Sequence, residues 1–254
     1  MTITSRLARL SLLLLIPLTL TSVACSGSGG DAGTKTTTTV AGRTTDTDSA
    51  SPSTDPATAV LVARTDQDLA IHADRGDTNV VQTLPATTEF GSARALMVTA
   101  ADDEWLEVLL PIRPNGTHGW IRRADVEVRE VTLELRIDLE TRTLKLFDGG
   151  TEVLSTPVAI GSEEAPTPTG RFSITDKLVT GNDGGAYGPF ALGLSGHSEV
   201  LTEFGGGDGQ IGIHGTNTPD SIGQAVSHGC IRVPNDIITR LNDILPLGTP
   251  VVIT

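Results

Sequence analysis

Two histidines and a cysteine fall close together near the C-terminal end, in Ile213-His214-Gly215-Thr216 and, eleven residues further on, Ser227-His228-Gly229-Cys230-Ile231-Arg232. A thiol attacks a carbonyl carbon as the thiolate, and a free cysteine with a pKa of about 8.5 is mostly protonated at neutral pH. A neighbouring imidazolium is the usual way to poise it, and His214 and His228 can both supply one. In an extended segment the side chains of His228 and Cys230 share a face. Gly229 also permits a sharp turn that aims backbone amides at one point, as an oxyanion hole requires. Zinc is the rival reading, since two His, one Cys and a water would complete a tetrahedral site. No Asp or Glu follows at ligand-like spacing, so no metal and no cofactor is expected. His72, His118 and His197 stand apart from this cluster and read as surface or packing residues.

The elements that must carry these residues are read from hydrophobic periodicity. Leu133, Leu135 and Ile137 alternate with Glu134, Arg136 and Asp138, and Leu144 and Leu146 flank Lys145, the period-two pattern of half-buried strands. Asp148-Gly149-Gly150 signals a tight turn into a strand over 152–160, and another strand is expected over 172–178, after Thr167-Pro168-Thr169-Gly170. One helix follows Pro234, with Ile237, Ile238, Leu241 and Ile244 on one face, and Pro246 and Gly248 close it before a last strand at 251–253. Upstream, β-type runs at 59–64, 69–72, 80–84, 95–99 and 105–110 are broken by Asp, Gly and Pro at the short intervals of a small all-β barrel. Trp105-Leu106-Glu107-Val108, a turn with Pro114-Asn115-Gly116, and Gly119-Trp120-Ile121 resemble the end of bacterial Src-homology-3-like domains, which often bind cell-wall peptides. Equally, both tryptophans are core residues of a barrel that only positions its neighbour. The expected fold class is mainly β, with the small barrel over 58–130 and a β-rich domain with one packed helix over 131–254.

The N-terminal region sets the compartment. Arg6 and Arg9 precede an apolar run from Leu10 to Leu20 and small residues up to Ala24, the layout of a secretory signal over 1–24. The run is shorter than the roughly 20 residues that a spanning helix needs. Ser22-Val23-Ala24-Cys25 resembles a lipoprotein box, which makes Cys25 the expected lipid attachment site, with ordinary cleavage and secretion as the alternative. Residues 25–57 are rich in Thr, Ser, Gly and Asp and too poor in apolar side chains to fold, so they read as a tether with an end-to-end distance of about 30 Å. Cys230 is then left without an obvious disulfide partner in an oxidising compartment, because the chain has two cysteines in all. The formal charge of −13 becomes −15 once Arg6 and Arg9 are removed. Such an acidic body is repelled by nucleic acid and by anionic lipid, so any membrane attachment runs through the lipid alone.

Residues 211–237, IGIHGTNTPDSIGQAVSHGCIRVPNDI, together with Pro166-Thr167-Pro168-Thr169-Gly170, resemble the active-site segments of the L,D-transpeptidase catalytic domains of bacterial cell-wall enzymes. The resemblance covers about 131–254 and implies a catalytic β-sandwich. It implies Cys230 as nucleophile, His214 as base and the Gly215 carbonyl as the group that orients its imidazole. The amides of His228, Gly229 and Cys230 would form the oxyanion hole, with the Ser227 hydroxyl and the His228 ring holding the loop. Tyr187, in Gly185-Ala186-Tyr187-Gly188-Pro189, matches a tyrosine on the substrate-covering loop, and Arg232 stands where many relatives carry Asn. The implied reaction is acyl transfer from a peptidoglycan stem tetrapeptide, releasing D-alanine, to an amine on the third residue of another stem. Carbapenem-type β-lactams are the implied inhibitors. Two alternatives are hydrolytic trimming of stems as an L,D-carboxypeptidase and a non-catalytic wall-binding lipoprotein. Papain-like folds place their histidine after the cysteine, and no histidine follows Cys230. The expected location is the outer face of the plasma membrane, within the cell wall.

Overall fold

The computed structural model describes residues 59–203 and 206–254, so the expected signal over 1–24, Cys25 and the tether over 25–57 lie outside the described residues. Alternating apolar side chains fold the first part into β1 (Val60–Thr65), β2 (Leu69–Ile71), β3 (Gln82–Leu84), β4 (Arg94–Ala101), β5 (Trp105–Leu109), β6 (His118–Arg122) and β7 (Glu127–Val131). Five of these strands form one antiparallel sheet in the order β6-β5-β4-β1-β7, and β2 and β3 pair as a separate hairpin. The buried face carries Leu69, Ile71, Leu96, Leu106, Val108 and Ile121. Trp105 is buried and Trp120 partly exposed, and His72 packs edge-on against Trp105 with ring centroids 5.1 Å apart.

The second part comprises β8 (Leu133–Asp138), β9 (Thr143–Asp148), β10 (Thr151–Pro157), β11 (Ile160–Gly161), β12 (Gly170–Val179), β13 (Phe190–His197), β14 (Gln210–His214), β15 (Ala225–Ser227), β16 (Ile231–Arg232), α1 (Asn235–Ile244) and β17 (Pro250–Ile253). Eight strands join in the order β10-β9-β8-β17-β12-β13-β14-β16, and β11 pairs with β15. The helix packs on β13 and β14. Ile238 and Leu241 of α1 complete a core with Leu135, Leu144, Ile174 and Leu192. Burying each such side chain contributes on the order of 2 kcal/mol. The fold is mainly β, with α1 the one α-helix among the described residues.

Two local expectations are corrected. The strand over 152–160 is two strands, because Pro157 ends the pairing with β9 opposite Thr143 and the chain crosses to meet β15. The helix face is narrower than its periodicity indicates: Ile244, in the last turn, is 41% exposed, while Leu245 just past the end is buried.

A smaller apolar cluster links the two sheets. Val62, Ala95 and Val131 are buried together and pack with Leu133 and Leu247. Gly248 meets Val62 so closely that a Cβ there would lie 2.2 Å from Val62 Cγ1.

Candidate active site

The parallel pairing of β14 and β16 brings the two motifs together, with Ile213 opposite Ile231 and His214 opposite Arg232. Cys230 immediately precedes β16. It lines a cleft of about 590 Å³ with His214 and Tyr187. A smaller cavity of about 130 Å³ shares those three residues and adds Ser227, His228 and Arg232.

His214 is buried, and its Nδ1 lies 2.6 Å from the Gly215 carbonyl oxygen. A carbonyl can only accept, so Nδ1 carries the proton and Nε2 keeps its lone pair. The Tyr187 ring lies against the imidazole at 4.6 Å between centroids, tilted by 55°. A residue unmarked by the sequence reading completes this wall. Asn235, the first residue of α1, accepts the Thr216 N–H through Oδ1 at 2.7 Å and donates through Nδ2 to the Asp183 carbonyl at 3.4 Å. It thereby ties the backbone after His214 to the segment that bears Tyr187. Gly188 and Gly215 press on the same amide, where a Cβ would come within 2.4 and 2.3 Å of Asn235 Oδ1. An Asn directly after the proline that opens a helix was the available signal.

The Ser227–Cys230 turn is built from side chains as much as backbone. Ser227 Oγ donates to the Cys230 carbonyl at 2.5 Å and accepts the Gly229 N–H at 3.1 Å. Buried Thr167 clamps the turn from below, donating to the Gly229 carbonyl at 2.8 Å and accepting the Gly161 N–H at 2.9 Å. Two expectations change here. The segment is not extended, because Gly229 has φ +114°, and so His228 is exposed while Cys230 is partly buried. The Gly229 amide is also taken up by Ser227, which removes it from the three amides expected to form an oxyanion hole.

Burial dominates the electrostatics of both reactive groups. Burial pushes the His214 imidazole down to about 4, only partly offset by its bond to Gly215, and the Arg232 charge lowers it further. Burial raises the Cys230 thiol, while the Gly212 N–H and Arg232 act in the opposite direction. Burial therefore works in one direction on both groups, favouring the thiol of Cys230 and the neutral imidazole of His214. Arg232 exchanges backbone hydrogen bonds with Ala159 at 2.9 Å, and its buried Nε has no hydrogen-bond partner. Of the isolated histidines, His118 is exposed, and His197 is buried with Nε2 2.9 Å from Asp208. Among the described residues no three His, Cys, Asp or Glu side chains gather as a metal site.

Residues 133–253 match the YkuD family model, the L,D-transpeptidase catalytic domain. The chain is 38% identical over 124 residues to the L,D-transpeptidase YkuD of Bacillus licheniformis, covering 49% of this chain and 67% of that one. It is 32% identical over 158 residues to the L,D-transpeptidase YqjB of Bacillus subtilis, covering 58% and 80%. Among solved structures, the crystal structure of an Enterococcus faecium L,D-transpeptidase mutant is similar at 24% identity and a TM-score of 0.37, over 48% of this chain and 50% of that one.

Proposed function

Because the chain belongs to the L,D-transpeptidase family, we propose that it is a peptidoglycan L,D-transpeptidase working through an acyl-enzyme on Cys230. The observation that carries this reading is the placing of Cys230 and His214 in one cleft, with the imidazole held by Gly215 in the tautomer that leaves Nε2 able to take a proton. A buried base with a free Nε2, lining one cleft with a partly buried thiol, suits proton transfer concerted with attack. As Cys230 Sγ bonds to the carbonyl carbon of the stem's third residue, its proton passes to His214 Nε2. The oxyanion is held by backbone amides of the Ser227–Cys230 turn other than that of Gly229. Collapse of the intermediate breaks the C–N bond, and the D-alanine amine leaves with the proton from His214. An amine of a second stem then attacks the thioester to form a cross-link between third residues, while water in its place only trims the stem.

Arg232, beside Cys230 and with an unpartnered buried Nε, suits the carboxylate of the departing D-alanine. Tyr187, 46% exposed and lying against His214, suits contact with the stem. Export with lipid attachment at Cys25 fits an enzyme of an insoluble wall polymer and rests on the N-terminal sequence pattern.

The test is intact-protein mass spectrometry after incubation with a carbapenem and, separately, with disaccharide-tetrapeptide. We expect an adduct on Cys230 with each, and none in Cys230→Ser. A wild-type chain that stays unmodified by both, or an adduct that persists in Cys230→Ser, refutes the nucleophile assignment.

A further inference from the structure

The cleft that holds Cys230 is not walled by the large sheet alone. Glu89 and Phe90, from the turn between β3 and β4 of the first sheet, line the same 590 Å³ space. Phe90 is 48% exposed there. A large aromatic kept half in water at the rim of a reactive cleft is a contact surface awaiting an occupant.

This turn is held rigidly against the catalytic sheet. The Thr88 hydroxyl donates to Oδ1 of Asp176 at 2.5 Å, and Asp176 is buried on β12. The other oxygen of Asp176 accepts from Thr175 at 2.8 Å and from Gln210 at 3.4 Å, and Gln210 opens the strand that ends at His214. Within the turn, Thr88 N–H donates to the Ser92 carbonyl at 2.8 Å and Gly91 N–H to the Thr88 carbonyl at 3.0 Å. Buried Arg94 braces its base, donating to the carbonyls of Pro85 and Thr87 at 3.0 Å each. A wall fixed in this way loses little conformational entropy when it binds.

Charge is distributed unequally around Cys230. The charged side chains lining the larger space are Glu89 and Asp208, both acids, and no Lys or Arg lines it; Asp208 also meets His197 Nε2 at 2.9 Å and accepts the Gln210 N–H at 3.2 Å, so Glu89 is the acid left open to a ligand cation. The smaller cavity has Arg232. A cation is therefore favoured on the Glu89 side of the thiol and an anion on the Arg232 side. Peptide strands with an amine-bearing side chain and a terminal carboxylate carry both.

We propose that the Thr88–Ser92 turn builds the acyl-acceptor subsite, which takes a peptide bearing an aliphatic ammonium, with Phe90 against its methylenes and Glu89 facing its charge. The inference deepens the transpeptidase reading and rests on it. In the step it serves, the bound ammonium gives one proton to solvent. The amine nitrogen then bonds to the thioester carbon, its second proton passes to His214 Nε2, the C–S bond breaks, and the departing sulfur recovers that proton as thiol. The first sheet thus acts as part of the acceptor site in addition to supporting its neighbour.

The test uses the full chain, with disaccharide-tetrapeptide as donor and a tripeptide with a free side-chain amine as acceptor, reading acylation and acceptor capture separately. Glu89→Gln should raise the acceptor KM about threefold to fivefold, as expected for a partly exposed ion pair, and Glu89→Gln with Phe90→Ala about tenfold. Acylation should change by less than about twofold, and Glu152→Gln, an acid outside the cleft, should leave the acceptor KM where it is. An acceptor KM unmoved by the double variant, in an enzyme that still acylates, overturns this inference alone. A wild-type chain that acylates and then only hydrolyses overturns this inference together with the cross-linking half of the transpeptidase reading, leaving the Cys230 acyl-enzyme in place. If Cys230 accepts neither donor nor carbapenem, the transpeptidase reading falls and this inference falls with it.

Discussion

At the scale of residues, the convergence of Cys230 and His214 on one cleft is legible in the chain, because few side chains can attack a carbonyl and these two sit in glycine-flanked motifs. Their charge state is not legible, since it depends on burial by strands distant in sequence. It has a measurable consequence. The native imidazole of His214 titrates at about 4, against about 6.5 in the unfolded chain. Between those values the unfolded chain binds a proton that the native chain refuses, so stability falls as pH drops from about 6.5 to about 4 and changes no further below. The gap corresponds to on the order of 3 kcal/mol. Denaturant unfolding at pH 7 and at pH 4.5 should therefore show a larger loss for the wild type than for His214→Gln. Equal losses would mean that the imidazole is not buried in its neutral form. By the same reasoning the acid limb of kcat/KM lies near pH 4, well below that of an ordinary histidine. The Gly229 amide was equally hidden from the sequence, because its engagement depends on the orientation of one serine hydroxyl.

At the scale of elements, the strands with a clean alternation, such as Leu133–Asp138 and Thr143–Asp148, were readable, and the strands that carry the site were not. Phe190–His197 is interrupted by Gly193 and Gly196, which break the period-two signal. The structure supplies the reason: a Cβ at Gly196 would meet the Phe172 ring at 2.5 Å, and one at Gly193 would lie 3.0 Å from Asp176 Cβ. Where strands pack this tightly, glycine replaces the residue types that mark a strand. The short strands Ala225–Ser227 and Ile231–Arg232 offer too few residues for any pattern, and the turn between them is held by Thr167 through the Gly229 carbonyl. Thr167→Val keeps the shape and deletes both hydrogen bonds, leaving a buried N–H and a buried carbonyl unpaired at about 1–3 kcal/mol each. We expect a lower unfolding midpoint and, in protein still fully folded at the assay temperature, acylation of Cys230 slowed about tenfold because the turn is no longer clamped. A variant that loses stability but acylates at the wild-type rate would show that the clamp serves folding alone.

At the scale of the whole molecule, the expectation of two β-rich parts meeting near Val131 was legible in the runs and turn signals of the sequence, while the described residues fall in one compact unit. The dependence of the two parts on each other was not legible, since it rests on contacts of long sequence separation. Asn115 pairs twice with the backbone of His197, at 2.8 Å in each direction, and Arg113 reaches the carbonyls of Ser198 and Leu201. Thr88 meets Asp176, and Val62, Ala95 and Val131 share a cluster with Leu133 and Leu247. Residues 131–254 have a core of their own around Leu135, Ile174 and Leu241, so that segment should fold when produced alone. It would do so with Leu133 and Leu247 uncovered and the amide of His197 without its partner. Exposing two such side chains and releasing several part-buried hydrogen bonds costs on the order of 5 kcal/mol. The denaturant midpoint of 131–254 should thus fall clearly below that of 59–254, and in hydrogen exchange the amide of His197 should lose protection while those of Leu135 and Ile174 keep theirs. The selective loss matters because the segment after His197 lines both cavities at Cys230, so a chain without its first sheet would keep the thiol and lose the shape of the space around it. Equal midpoints and an unchanged His197 amide would mean that the first sheet lies against the second without supporting it.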